Sequence, residues 1–212
     1  MTATDPHAAA VAHLAAVDET LARMIARHGP CTLVPEPDLF ESVARAIVGQ
    51  QISVHAAAAV LSRVRALMPD GTMTPDGVLA VPDEQLRAAG LSWRKVSYLK
   101  DCAARFADGS IDPAALAAAD DEAVIAALLP IKGVGRWTAE MALIFALGRP
   151  DVLSTGDFGL RSAMQRHWNL PAPASPSEME AIAARWRPYR SVASWYLWRS
   201  LSTVTIGDAD EA

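Results

Sequence analysis

The residues best able to do chemistry lie in two short segments of the last third of the chain. In Leu129-Pro-Ile-Lys-Gly-Val-Gly-Arg-Trp-Thr-Ala139, Gly133 and Gly135 stand one residue apart between two apolar helical stretches. With no Cβ at either position, the turn can be tight and its backbone can come close to a ligand. The helix that starts at Arg136 presents free N–H groups, and the partial positive charge of its N-terminus favours an anion, a phosphate above all. Lys132 and Arg136 beside it complete a phosphate clamp, although the glycines alone read more readily as an ordinary helix–helix turn. The second segment, Leu153-Ser-Thr-Gly-Asp-Phe-Gly-Leu-Arg161, sets Asp157 at a helix start 22 residues after Gly135. A capping aspartate by itself contributes about 1 kcal/mol. The same position favours a charged carboxylate, which suits stabilising a developing cation better than donating a proton.

The elements that must position these segments are all helices. Helix punctuation runs from end to end and no stretch alternates with period two over strand length, so the fold class is all-α. Asp5-Pro6 predicts the start of one long helix, with Val11, Leu14, Val17, Leu21 and Met24 at three- and four-residue steps up to His28-Gly29. Further helices are predicted over 39–48 and 53–67, with a loop from Pro69 to Gly77. Asp83 opens a short one closed by Gly90, Ser92 caps the next up to Gly109, and Asp112-Pro113 and Asp120 open two more. Another ends near Leu129, and the helix after the double glycine runs from Arg136 to Leu147. Asp157 caps a helix to His167, and Ser175 with Glu178 has capping-box spacing for one that stops before Pro188. A tryptophan-rich helix over 189–204 and a frayed acidic tail at 207–212 finish the chain.

Among 212 residues, Lys and Arg number 19 and Asp and Glu 24, a net charge of −5 that by itself argues against a nucleic-acid partner. The charge is uneven along the chain, however: residues 1–124 sum to −6, 125–206 to +4, and 207–212 to −3. The +4 stretch holds both chemical segments and reads as a localised binding face. Two distant cysteines, Cys31 and Cys102, exclude a disulfide scaffold and a four-thiolate iron–sulfur cluster, and fit a reducing cytoplasm. The five histidines show no metal-binding spacing and read as surface or helix-end residues. No apolar run approaches membrane-spanning length, and no basic N-terminal region precedes an apolar block.

The double-glycine hairpin, the spaced aspartate, and the segments Arg45-Ala-Ile-Val-Gly-Gln-Gln-Ile-Ser53, Gly90-Leu-Ser-Trp-Arg-Lys95 and Trp186-Arg-Pro-Tyr-Arg-Ser191 occur in the order seen in the helix-hairpin-helix (HhH-GPD) DNA glycosylases. The chain resembles the 3-methyladenine DNA glycosylase II type of that superfamily over most of its length. Larger enzymes of the type carry an added α/β domain for which residues 1–37 leave no room, so a compact version is expected. The resemblance implies two helical lobes, 38–151 and 1–37 with 152–212, with the hairpin (about 125–147) at the cleft. It implies an enzyme that flips a damaged nucleotide from double-stranded DNA and hydrolyses its N-glycosidic bond.

On that likeness Asp157 is the catalytic carboxylate, stabilising the oxocarbenium-like sugar and orienting or deprotonating water. Bifunctional relatives place a lysine nucleophile two residues after the hairpin's second glycine. Trp137 stands there, which implies a monofunctional enzyme without lyase activity. Alkylated purines carry positive charge that aromatic rings can hold by stacking and cation–π attraction. Trp137, Phe158 and Trp198 match the family's pocket positions, with Met141 as a fourth wall; each tryptophan reads equally as core, and Trp195 is assigned to core. DNA contacts are expected from Lys132, Gly133, Gly135, Arg136 and Thr138. Gln50 and Gln51 contact the estranged base or the minor groove, or else simply end a helix. Trp93, with Arg94 and Lys95, stands where relatives insert a wedge, or else staples a helix start. Arg190 and Arg199 face DNA or only solvate the last helix. Backbone carbonyls of Leu129, Ile131 and Val134 would hold a monovalent cation, no cofactor being needed for catalysis. Two other readings stay open: a non-catalytic helix-hairpin-helix DNA-binding module, and a glycosylase for hypoxanthine, ethenoadenine or oxidised bases. The expected molecule is a cytoplasmic monomer.

Overall fold

Short polar side chains start most of the helices in the computed structural model, which describes residues 5–202. Ser53, Ser92, Asp112, Asp120, Asp157 and Ser175 each accept backbone N–H groups of the following turn, and Ser175 with Glu178 closes both halves of a capping box. Thirteen α-helices and one 3-10 turn result, with no strand among the described residues; the fold is all-α.

The chain divides into two compact units. One is Pro35–Gly148, made of α3 (Leu39–Gly49), α4 (Val54–Arg65), α5 (Pro75–Ala80), α6 (Asp83–Ala88), α7 (Trp93–Ala107), α8 (Pro113–Ala118), α9 (Asp121–Leu128) and α10 (Arg136–Phe145). α7 lies against α3, α5 and α6, while α10 packs on α3 and α9. Val43, Ile47, Leu86, Leu99, Leu128 and Ile144 are buried completely in this unit. The other comprises the described parts of Met1–Val34 and Arg149–Ala212. It holds α1 (Ala8–Val17), α2 (Glu19–His28), α11 (Phe158–His167), α12 (Pro176–Ala183), the 3-10 turn Ala184–Trp186 and α13 (Arg190–Ser202). α13 packs on α11, α2 and α1, around the fully buried Leu14, Leu21, Trp186 and Tyr196.

The sequence reading needs four corrections here. The first long helix is two, and begins at Ala8 with Asp5 bonded to the His7 N–H. It breaks at Asp18, whose Oδ1 caps Thr20 and Leu21 (2.9 and 3.3 Å) while Oδ2 accepts the buried Trp186 indole (2.9 Å). An aspartate with three donors to serve is worth more as a second cap than as one more helical residue. α5 takes the end of the segment read as a loop, because Thr74 caps Gly77 and Pro75 occupies the first position. Trp195 is half-buried instead of core, with the Arg199 guanidinium 5.6 Å from its ring centre. The tail at 207–212 and the predicted end of the last helix beyond Ser202 lie outside the described residues.

Charge is also distributed differently in space than along the sequence. The hairpin belongs to Pro35–Gly148, which carries 10 basic and 14 acidic residues, a net −4. The +4 stretch is thus split between the units, and the hairpin sits in the more acidic one.

Candidate active site

Asp157 is the cap of α11 and more. Its Oδ1 accepts the Leu160 N–H (2.7 Å) and the Trp198 indole Nε1–H from α13 (3.0 Å), and the residue is 8% exposed. Two donors on one oxygen fix the orientation of the carboxylate. Phe158, next to it, is 74% exposed, an unusual position for a phenyl ring. Gly159 leaves room beside this carboxylate: a Cβ there would stand 3.1 Å from Asp157 Oδ1 and 3.4 Å from Trp198 Cδ1, close enough to press on both. Sequence reasoning passed over Gly159, the second residue of α11.

In the other unit the hairpin turns through Gly133 at φ +79°, with Ile131 N–H on Leu128 O and Val134 N–H on Ile131 O (3.1 and 3.0 Å). Gly133 has the Tyr98 ring against it, whereas a Cβ on Gly135 would meet nothing within 4 Å and its φ is −106°. Neither packing nor φ requires glycine at 135, so the open approach to the α10 N-terminus is what its missing side chain provides. Thr138 and Met141 are buried one and two turns into α10, and Trp137 keeps 42% of its surface exposed. A depression of about 350 Å³ is lined by Ala46, Gly49, Gln50, Gln51 and Trp137, bringing together three of the predicted site residues.

The cationic side chains are less free than their sequence suggests. Arg136 pairs in bidentate fashion with Glu122 and donates to Glu140 (2.9 Å), and its guanidinium holds the Glu122 carboxyl below the usual range. Lys132 Nζ lies 3.7 Å from Asp101 Oδ1. Lys95 donates to the carbonyls of Val48 and Gln50 (2.7 Å each), so it caps the end of α3; burial, then Arg94, push its ammonium below the usual range. Arg94 donates to Gln51 Oε1 (3.3 Å), Gln51 adopts φ +58°, and Gln50 Nε2 donates to the Gly133 carbonyl (2.8 Å). Gln50 therefore ties α3 to the hairpin. Trp93, 57% exposed on the first turn of α7, is not packed as a staple would be. Arg190 neither faces outward nor solvates its helix: it is 8% exposed and bound to Asp151.

The hairpin is fastened to α7 by Asp101, which sequence reasoning missed. Its Oδ2 accepts the Lys132 N–H (2.9 Å) and the Arg105 Nε–H (3.1 Å). Burial alone would raise its pKa, but these hydrogen bonds and the two cations hold it below the ordinary value. With the folded-state pKa below the unfolded one, Asp101 stabilises the fold above the ordinary aspartate range and that contribution is lost as pH falls through the folded pKa. The Lys132 amide resonance should accordingly titrate below about pH 3.9, the unperturbed aspartate value. Titration at or above that value would contradict the assignment, and Asp101→Asn should remove this acid-dependent part of stability.

Among the described residues no cluster of three His, Cys, Asp or Glu side chains could hold a metal ion. The Ile131 carbonyl of the turn accepts the Val134 N–H. No helix among the described residues is long and apolar enough to cross a membrane.

A model of the HhH-GPD superfamily of base excision DNA repair proteins matches residues 44–188. The chain is 32% identical over 193 residues to DNA-3-methyladenine glycosylase 1 of Schizosaccharomyces pombe, spanning 89% of this chain and 85% of that protein. Its fold is similar to that of the Schizosaccharomyces pombe 3-methyladenine DNA glycosylase solved with abasic DNA, at TM-score 0.82 and 31% identity over 92% of this chain and 97% of that one. It is also similar to a DNA-3-methyladenine glycosidase from Bacillus halodurans, at TM-score 0.81 and 35% identity over 96% and 94%.

Proposed function

The chain belongs to the HhH-GPD superfamily of base excision DNA repair proteins, and we propose that within it the protein is a monofunctional glycosylase hydrolysing the N-glycosidic bond of alkylated purines in duplex DNA. The observation that carries this reading is the Asp157 carboxylate, held by a helix N–H and the Trp198 indole beside an exposed aromatic ring. A module that only binds DNA has no use for such a group. Purines of the 3-methyladenine and 7-methylguanine type carry positive charge on the base and leave without an acid catalyst. What remains for the protein is to stabilise the cationic sugar and admit water. Asp157 supplies the negative charge, and its fixed orientation means little reorganisation is required as the bond breaks. Phe158 and Trp198, in the same unit as Asp157, offer rings to a cationic base.

Trp137 at the position two residues after Gly135 leaves no amine there to attack the sugar, which supports hydrolysis without lyase chemistry. Because Lys132 and Arg136 are matched by Asp101, Glu122 and Glu140, affinity for the phosphate chain rests chiefly on the hairpin's backbone N–H groups and their unobstructed approach. A monovalent cation on the carbonyls of Leu129, Ile131 and Val134 would add positive charge beside that turn. The proposed species is a monomer acting on damaged double-stranded DNA in the compartment that holds it, the cytoplasm in a bacterium.

Incubation with methylated duplex, followed by chromatography of the freed bases, should show 3-methyladenine and 7-methylguanine. Release of hypoxanthine, ethenoadenine or oxidised bases in their place would move the substrate class, and a folded sample releasing nothing would leave only DNA binding. Borohydride should trap no covalent protein–DNA adduct; an adduct would refute the monofunctional assignment.

A further inference from the structure

Arg190, buried at the start of α13, gives most of its guanidinium to Asp151 and the remaining donor to Glu180 of α12. Nε donates to Asp151 Oδ1 (2.7 Å), Nη2 to Asp151 Oδ2 (3.1 Å) and to the Asp151 carbonyl (2.8 Å), and Nη1 to Glu180 Oε2 (3.3 Å). Ser191 extends the grip: its N–H donates to Pro150 O (3.0 Å), its Oγ donates to Arg149 O (2.6 Å), and the same Oγ accepts the Val152 N–H (3.0 Å). Four consecutive residues, 149–152, are thereby fastened to the first turn of α13. The chain continues through buried Leu153 and Ser154, and the Asp157 N–H donates to Ser154 O (3.1 Å). Asp157 Oδ1 then meets Trp198, on the same helix eight residues beyond Arg190, roughly 12 Å along its axis. α13 therefore holds the segment 149–157 at both ends.

A buried ion pair is weak grounds for stability, because desolvation offsets much of the attraction. Several donors converging on one residue confer geometry instead. Geometry is what a carboxylate needs when it must face a reacting sugar, since a misplacement of about 1 Å can cost 100-fold in rate. Resting on the reading of Asp157 as the reaction's carboxylate, we propose that Arg190 is a positioning residue. It anchors Asp151, fixes the loop that presents Asp157, and so sets the rate of bond cleavage without contributing to duplex affinity.

Arg190→Lys keeps the charge but cannot span both Asp151 oxygens and the carbonyl. On duplex carrying the lesion released fastest in the base-release assay, and with all DNA bound, the single-turnover rate should fall about tenfold or more. The Kd for the matching undamaged duplex should change less than about twofold, and thermal melting should report a folded protein. The indole N–H resonance of Trp198, identified by its loss in Trp198→Phe, should shift in Arg190→Lys, because that N–H donates to Asp157 Oδ1. Arg187 Nη1 also donates to Asp151 Oδ2 (3.0 Å), and Ser191→Ala, which cuts the segment's two bonds to Ser191 Oγ, should lower the rate in the same direction and serves if the lysine variant does not fold. A folded variant with wild-type rate, or a loss residing entirely in Kd, overturns the proposal. Asp157→Asn measured alongside separates the two claims. Full activity in it removes the reading of Asp157, whereas an inert Asp157→Asn beside a fully active Arg190→Lys removes only the role of Arg190.

Discussion

Asp157→Asn will stop base release while the protein stays folded and bound to DNA. Asparagine is as good a helix cap as aspartate. Its amide oxygen can take over the position of Oδ1, accepting the Leu160 N–H and the Trp198 indole as the carboxylate does. Both of these partners are donors, so the amide oxygen takes their side. What disappears is the negative charge. A preorganised electrostatic partner of a developing charge contributes roughly 100- to 1,000-fold in rate, about 2.7 to 4 kcal/mol, and a single-turnover assay should lose at least that much. Duplex affinity should stay within about threefold, because no phosphate is held by this group and one repulsive charge has gone. Asp157→Ala is the poorer probe: it also forfeits the cap, about 1 kcal/mol, and removes the oxygen to which the Trp198 indole donates. An Asp157→Asn enzyme that releases methylpurines at the wild-type rate would show that the carboxylate serves only as a cap.

That site was legible in the sequence to the extent that its causes are local. A cap acts within one turn, so Asp157, Ser92 and the Ser175–Glu178 pair announce their helices, and the structure places each cap where the spacing predicts. Partners far apart along the chain are invisible to such reasoning. Asp18 looks like a mid-helix residue until the Trp186 indole, 168 positions away, arrives to bond it. Arg136 looks like a free cation next to a phosphate site until Glu122 closes on it, and Lys95 looks like a DNA contact until the end of α3 is brought beside it. The same limit explains the charge. Summing along the sequence gives a basic last third, but folding returns the hairpin to a unit with four more acids than bases. Counterion release from side chains is then a smaller part of binding than the +4 stretch suggests, and the hairpin backbone a larger one.

For that reason the largest effect on DNA affinity is expected from a glycine. In Gly133→Ala the new methyl group would stand 2.1 Å from Tyr98 Cδ2 and 2.4 Å from Cε2, distances no carbon pair sustains. The residue also sits at φ +79°, where an L-side chain costs roughly 1–2 kcal/mol, and forcing the half-buried ring aside adds about 1–3 kcal/mol. Relief comes from moving the turn, which carries with it the Gly133 carbonyl bonded by Gln50 and the Lys132 N–H held by Asp101. The α10 N-terminus loses its aim, and a duplex Kd raised about tenfold or more should accompany a destabilisation of about 2–5 kcal/mol in urea melts. Two companions separate the causes. Gly133→Ala with Tyr98→Ala removes the clash and should recover the steric part of the loss, leaving the cost of the left-handed backbone. Gly135→Ala meets nothing within 4 Å at an ordinary φ, so its stability should stay close to wild type. If phosphate approaches the backbone there, its Kd must still rise, because the added methyl occupies the approach; a Gly135→Ala protein binding duplex with unchanged affinity would place the phosphate contact elsewhere on the turn.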